Sequence, residues 1–119
     1  MLRRSLARIR PGWPALVLAA AAPVAGCQYE AATQACYDLL DAYGARLAEC
    51  GYYPSAEAGA QDLHDQLEAD GLDCDTSPTG IRDEDELYME CLPTLETLAC
   101  DTPDATPPSC RDQIVYRGG

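Results

Sequence analysis

Between residues 30 and 50 the apolar positions Cys36, Leu40, Tyr43, Leu47 and Cys50 recur at steps of 4, 3, 4 and 3. That spacing predicts one buried face of an amphipathic helix, and Gly51 just beyond it is a left-handed stop. Pro54-Ser55 then reads as a turn and N-cap for a second helix over about residues 56–70, with Ala60, Leu63 and Leu67 on one face and Gly71 closing it in the same way. A loop containing Pro78 and Gly80 leads to a third helix, about residues 83–99, whose Leu87, Cys91, Leu95 and Leu98 share a face. Pro93 lies inside that helix and predicts a kink or a restart. Residues 101–119 carry Pro103, Pro107 and Pro108 and are expected to be mostly irregular, the only β-branched run in the region being Ile114-Val115. The expected fold class is therefore all-α, a small bundle of about three helices with an irregular C-terminal tail and no internal repeat.

Charge divides the chain in two. Of 119 residues, 8 are basic and 20 acidic, and all the basic ones are Arg. Arg3, Arg4, Arg8 and Arg10 precede residue 11, whereas the first acid is Glu30. A basic start followed by the apolar stretch 15–25 has the form of a secretory signal and is shorter than the roughly 20 apolar residues that span a bilayer as a helix. It ends in Val24-Ala25-Gly26-Cys27, which resembles the bacterial lipobox. The resemblance implies cleavage between Gly26 and Cys27 and a diacylglyceryl group on the Cys27 sulfur, with residues 1–26 as lipoprotein signal peptide and 27–119 as a cysteine-rich helical domain. Two or three acyl chains hold a protein at a membrane where one does so only marginally. Gln28, in place of the Asp associated with inner-membrane retention, favours the outer membrane. Arg3-Arg4-Ser5-Leu6 lacks the flanking residues of a twin-arginine signal. The alternative is an ordinary cleaved signal that leaves Cys27 as a thiol on a secreted small binding or inhibitor protein.

Residues 27–119 hold four Arg against twenty acids, a formal charge of −16, which makes nucleic acid an implausible partner. Only 13 of these residues are Leu, Ile or Val, too few for an ordinary core at this charge. The six remaining cysteines supply what the core lacks. Cys36, Cys50, Cys74, Cys91, Cys100 and Cys110 form an even set in an exported chain, where bridges persist. Fifteen pairings exist for six cysteines. On one helix Cys36 and Cys50 would stand about 21 Å apart, far beyond the roughly 7 Å that a bridge spans. Cys91 and Cys100 are likewise separated, by about 13 Å, unless Pro93 breaks the helix. With the second helix antiparallel to the first, Cys74 returns to Cys36, Cys100 meets Cys50, and Cys91 is left with Cys110. A local Cys100–Cys110 bridge is the rival arrangement.

Other chemistry is thin. Zinc sites want close CxxC or CxxH pairs, and none is present. A cysteine or serine nucleophile needs a base, for which His64, expected on an exposed acidic helix face, is the one histidine. No enzyme and no cofactor are expected. Asp83-Glu84-Asp85-Glu86 suits the first turn of a helix, facing the positive end of its dipole. Asp73, Asp75, Ser77 and Glu84 occupy positions one, three, five and twelve of an EF-hand-like loop, an alternative weak calcium module, although Pro78 stands where that loop needs Gly.

The segments CYDLLDAYGARLAECG (36–51) and YMECLPTLETLACDTPDATPPSC (88–110) resemble small cysteine-rich exported proteins and lipoproteins of myxobacteria. The resemblance implies an address and a disulfide scaffold and no activity. The functional expectation is a lipid-anchored, non-enzymatic interaction or structural module of the cell envelope, held to the membrane through Cys27 and facing an envelope protein partner.

Overall fold

A computed structural model describes residues 28–117; the segment expected to be a signal, with Gly26 and Cys27, lies outside the described residues. Helix α1 covers residues 28–49 and α2 covers Ala56–Ala69. Both stop at a glycine with positive φ, 89° at Gly51 and 84° at Gly71. The bonds Tyr52 N to Leu47 O and Gly51 N to Ala48 O, repeated as Leu72 N to Leu67 O and Gly71 N to Glu68 O, close two Schellman motifs. Ser55 begins α2 by accepting the Ala58 N–H at its hydroxyl. The two helices touch backbone to backbone. A Cβ on Gly44 would stand 2.4 Å from the Ala60 nitrogen, and one on Gly59 would stand 2.6 Å from the Gly44 carbonyl oxygen.

The molecule is mostly helical, but it is not all-α. Strand β1 (Pro78–Ile81) pairs antiparallel with β2 (Ile114–Tyr116), placing an ordered strand in the tail expected to be irregular. Pro78 faces Tyr116 and Gly80 faces Val115, so Thr79 is the extra residue of a bulge. Proline can hold this place because it is the first residue of a two-stranded ribbon. Flanking bonds from Arg117 N to Ser77 O and from Arg82 N to Gln113 O extend the ladder at both ends.

The third helix, α3, also departs from expectation. It is α-helical over Glu84–Glu86, π-helical over Leu87–Cys91 and α-helical again over Leu92–Leu95, ending four residues short of the expected limit. Proline lacks an N–H, and its ring collides with the carbonyl four residues back. Here the helix widens just before Pro93, with Leu92 N bonded to Leu87 O, and the Thr94 hydroxyl donates to Glu90 O. Cys91 and Cys100 therefore do not share a helix, and Leu98 lies beyond its end.

The core is small and rich in sulfur. Ala35, Cys36, Cys74, Leu87, Cys91, Leu95 and Ile114 form its buried cluster. Three of these seven are half-cystines, and only Leu87, Leu95 and Ile114 are large aliphatics. Among the described residues Gln113, 1 % exposed, is the buried polar one.

Candidate functional site

The three bridges are Cys36–Cys74, Cys50–Cys100 and Cys91–Cys110, with Cα separations of 5.5, 5.4 and 4.8 Å. The first ties α1 to the loop after α2, inside the core. The second joins the end of α1 to the segment after α3, near the surface. The third fastens the π-helical part of α3 to the short 3-10 turn Pro108–Cys110 that precedes β2. They close loops of 38, 50 and 19 residues, so α1, α3 and the segments after α2 and before β2 are each linked covalently to chain distant in sequence.

Of the acidic residues singled out in the sequence, Asp73 and Asp83 are engaged within their own turns, whereas Asp75 and Glu86 also accept from residues distant in sequence. One Asp73 carboxylate oxygen accepts the Asp75 and Thr76 N–H groups, and the other accepts the Thr76 hydroxyl. The Thr76 bonds lead in holding the Asp73 carboxyl below the usual carboxylate range. Ser77 turns its hydroxyl back to the Asp73 N–H, and Asp75 accepts the Tyr37 phenol. Glu84 lies beyond β1, in the first turn of α3. Asp83 caps that helix by accepting Glu86 N–H, while Glu86 accepts from both Arg82 and Gln113. Gln113 clamps the region, since its amide also donates to Ser109 O and its carbonyl accepts Asp83 N–H.

His64 is not on an exposed face. Its side chain is 18 % exposed, and its ring stacks on Tyr37 with centroids 5.9 Å apart. Nδ1 lies 3.6 Å from Glu68, while Nε2 is buried without a hydrogen-bond partner among the described residues. Asp65 and Glu68 bring their carboxylates within 4.8 Å of it and of each other. The Ser55 and Ser77 hydroxyl oxygens each accept a backbone N–H, from Ala58 and Asp73 respectively.

Sequence reading passed over the tyrosines. Five of the seven donate across the fold: Tyr37 to Asp75, Tyr43 to Pro103 O, Tyr52 to Cys100 O, Tyr53 to Asp62 and Tyr88 to Asp38. Gln34, Gln61 and Gln66 serve neighbouring aspartates on their own helices in the same way. In a chain without Lys, neutral donors serve Asp38, Asp62, Asp65 and Asp75. The hydrogen bond from Tyr53 holds Asp62 below its usual range, and burial together with the bond to Asp38 pushes Tyr88 up to about 12. The signal was present in composition, as residues 28–117 hold seven Tyr and neither Phe nor Trp: there each large aromatic ring brings a hydroxyl with it.

A hollow lies beside His64, lined by Tyr37, Asp41, Glu57 and Glu68, and two more flank this network. One of about 370 Å³ is bounded by Tyr43, Tyr52 and Tyr53 together with Leu63 of α2 and the Pro103-Asp104 loop. The other, about 160 Å³ and nearly all apolar, lies between Leu39 and Leu40 of α1, Leu95 of α3 and Pro107. Among the described residues no helix is long and apolar enough to cross a membrane. These features define a disulfide-rich, mostly helical small domain with a two-stranded ribbon. Comparison with known families, characterised proteins and solved structures finds no match.

Proposed function

We propose that the chain is an exported lipoprotein whose domain, anchored at the cell envelope through acylated Cys27, acts as a rigid interaction or structural module and not as an enzyme. The observation that carries this reading is the closed set of bridges. All six cysteines after Cys27 pair with one another, which leaves Cys27 outside the set, as acylation of its sulfur requires. Such bridges persist in oxidising compartments and are rare in the cytosol. The anchor and the domain adjoin, because α1 is already formed at residue 28, so a lipid on Cys27 would hold the domain close to the bilayer.

Metabolic labelling with a fatty-acid probe tests the proposal. The expected result is a labelled protein whose label is lost in Cys27→Ser, with the mature N-terminus at residue 27. An unlabelled mature protein that keeps Cys27 as a thiol would overturn it in favour of the secreted, non-lipidated binder.

A further inference from the structure

The tyrosine-lined hollow has a chemistry of its own. Tyr43 comes from the last turns of α1, Tyr52 and Tyr53 from the turn that follows, and Asp104 from the loop beyond α3. Each phenol is tied at its oxygen, to Pro103 O, Cys100 O and the Asp62 carboxylate respectively. Those bonds position the rings while using up their hydroxyl protons, so the hydroxyls have no hydrogen left to offer an anion. No Arg or Lys lines the hollow. Arg46, on the same stretch of α1, is turned to Leu98 O and Glu49. Asp104 is exposed and close enough for its charge to add to burial in raising the Tyr43 phenol.

What remains is a lining of three tyrosines, whose rings carry negative potential on their faces, with the exposed Asp104 carboxylate beside them and a volume at the lower end of the range for small-ligand sites. The field from the excess negative charge of residues 27–119, sixteen in all, draws in cations and excludes anions. Aromatic clusters attract cations most when the cation is easily stripped of water, as a methylated ammonium is. We propose that this hollow binds a quaternary or methylated ammonium group, with Tyr43, Tyr52 and Tyr53 supplying ring surface and Asp104 the countercharge. The site is independent of acylation at Cys27. No other hollow described has this combination: the apolar one bears no carboxylate, the one beside His64 pairs its carboxylates with a single tyrosine, and the one at Asp41, Ala56 and Glu57 has no tyrosine.

The test is an NMR titration of the oxidised full chain with choline and with its uncharged isostere 3,3-dimethylbutan-1-ol. Saturable binding of choline is expected, with shifts confined to Tyr43, Tyr52, Tyr53 and Asp104, and affinity for the isostere about tenfold weaker. Asp104→Asn, at an exposed position, should weaken choline about threefold or more without moving the melting temperature. Tyr52→Phe should keep binding, whereas Tyr52→Leu should lose about threefold or more. Equal affinity for choline and the isostere would overturn the proposal and leave only an apolar hollow. Shifts that fail to saturate and spread over the acidic surface would overturn it as general counterion screening, as would indifference to both Asp104→Asn and Tyr52→Leu. None of these outcomes bears on fatty-acid labelling, so the two proposals fail separately.

Discussion

The α1–α2 half and the β1–α3–β2 half of the molecule solve the same shortage of apolar surface by different means. In the first, two regular helices with matching glycine stops meet at Gly44 and Gly59, where the absence of side chains lets their backbones touch. In the second, a four-residue strand, a widened helix and a three-residue strand are irregular individually. They are held by Cys91–Cys110, by the ribbon and by the four hydrogen-bonding links of Gln113, Glu86, Asp83 and Ser109. Close approach of regular backbones gains dispersion contacts without large side chains. Irregular backbone exposes polar groups that must be satisfied one by one, which is why a fully buried glutamine is found there and not between the helices.

The largest effect should come from reduction, which removes the feature common to both halves. Full reduction at neutral pH should collapse the helical circular-dichroism signal, since 13 large aliphatics cannot offset ordering that costs roughly 1–2 kcal/mol per backbone residue. A reduced protein that kept a cooperative melt near that of the oxidised form would show that packing alone suffices. Opening bridges singly should grade the loss by loop length: about 4 kcal/mol for Cys50→Ala with Cys100→Ala and about 3 for Cys91→Ala with Cys110→Ala, read from urea midpoints. The second pair should also loosen β2, seen as faster hydrogen exchange at Ile114 and Tyr116.

Next in size is the helix crossing. Gly44→Ala puts a methyl group against the Ala60 backbone and should cost about 3 kcal/mol by forcing the helices apart, whereas Ala60→Ser nearby should be mild. A neutral Gly44→Ala would mean that the two helices are not in close contact. In the other half, Gln113→Leu keeps the volume but strands the Asp83 N–H and the Ser109 carbonyl, and should cost about 2 kcal/mol. Thermal melts of the two variants compare the halves directly.

The gentlest perturbation is pH. Tyr37, Tyr43, Tyr53 and Tyr88 all have phenols raised above 10.0 in the fold, Tyr88 to about 12, so the folded state favours their neutral form. Their stabilisation is complete below pH 10 and is lost as pH rises from 10 toward 12, because the unfolded chain releases these protons first. An alkaline unfolding transition in that window is expected, moved by Tyr88→Phe. Unfolding that set in well below pH 10 would point to groups other than the phenols.

The sequence by itself determined what is local. The 4-3-4-3 spacing, Ser55 and the two glycine stops specify α1 and α2, because helix hydrogen bonds and caps join residues no more than five apart. The six cysteines and the scarcity of Leu, Ile and Val likewise announced a bridged scaffold. Tertiary structure decided the rest. Pro78-Thr79-Gly80-Ile81 has little intrinsic tendency to be a strand and becomes one only because Ile114–Tyr116, 33 or more residues later, supplies the partner. The π segment answers a proline that α3 cannot leave out, since Leu87, Cys91 and Leu95 must all reach the core on either side of it. His64 looked like a surface residue until Tyr37 of the neighbouring helix covered it, and Gln113 looked like any polar residue of a tail. The tyrosines were countable, but which oxygen each phenol reaches depends on contacts 9 to 60 residues away, and no pattern along a single segment encodes a distance of that kind.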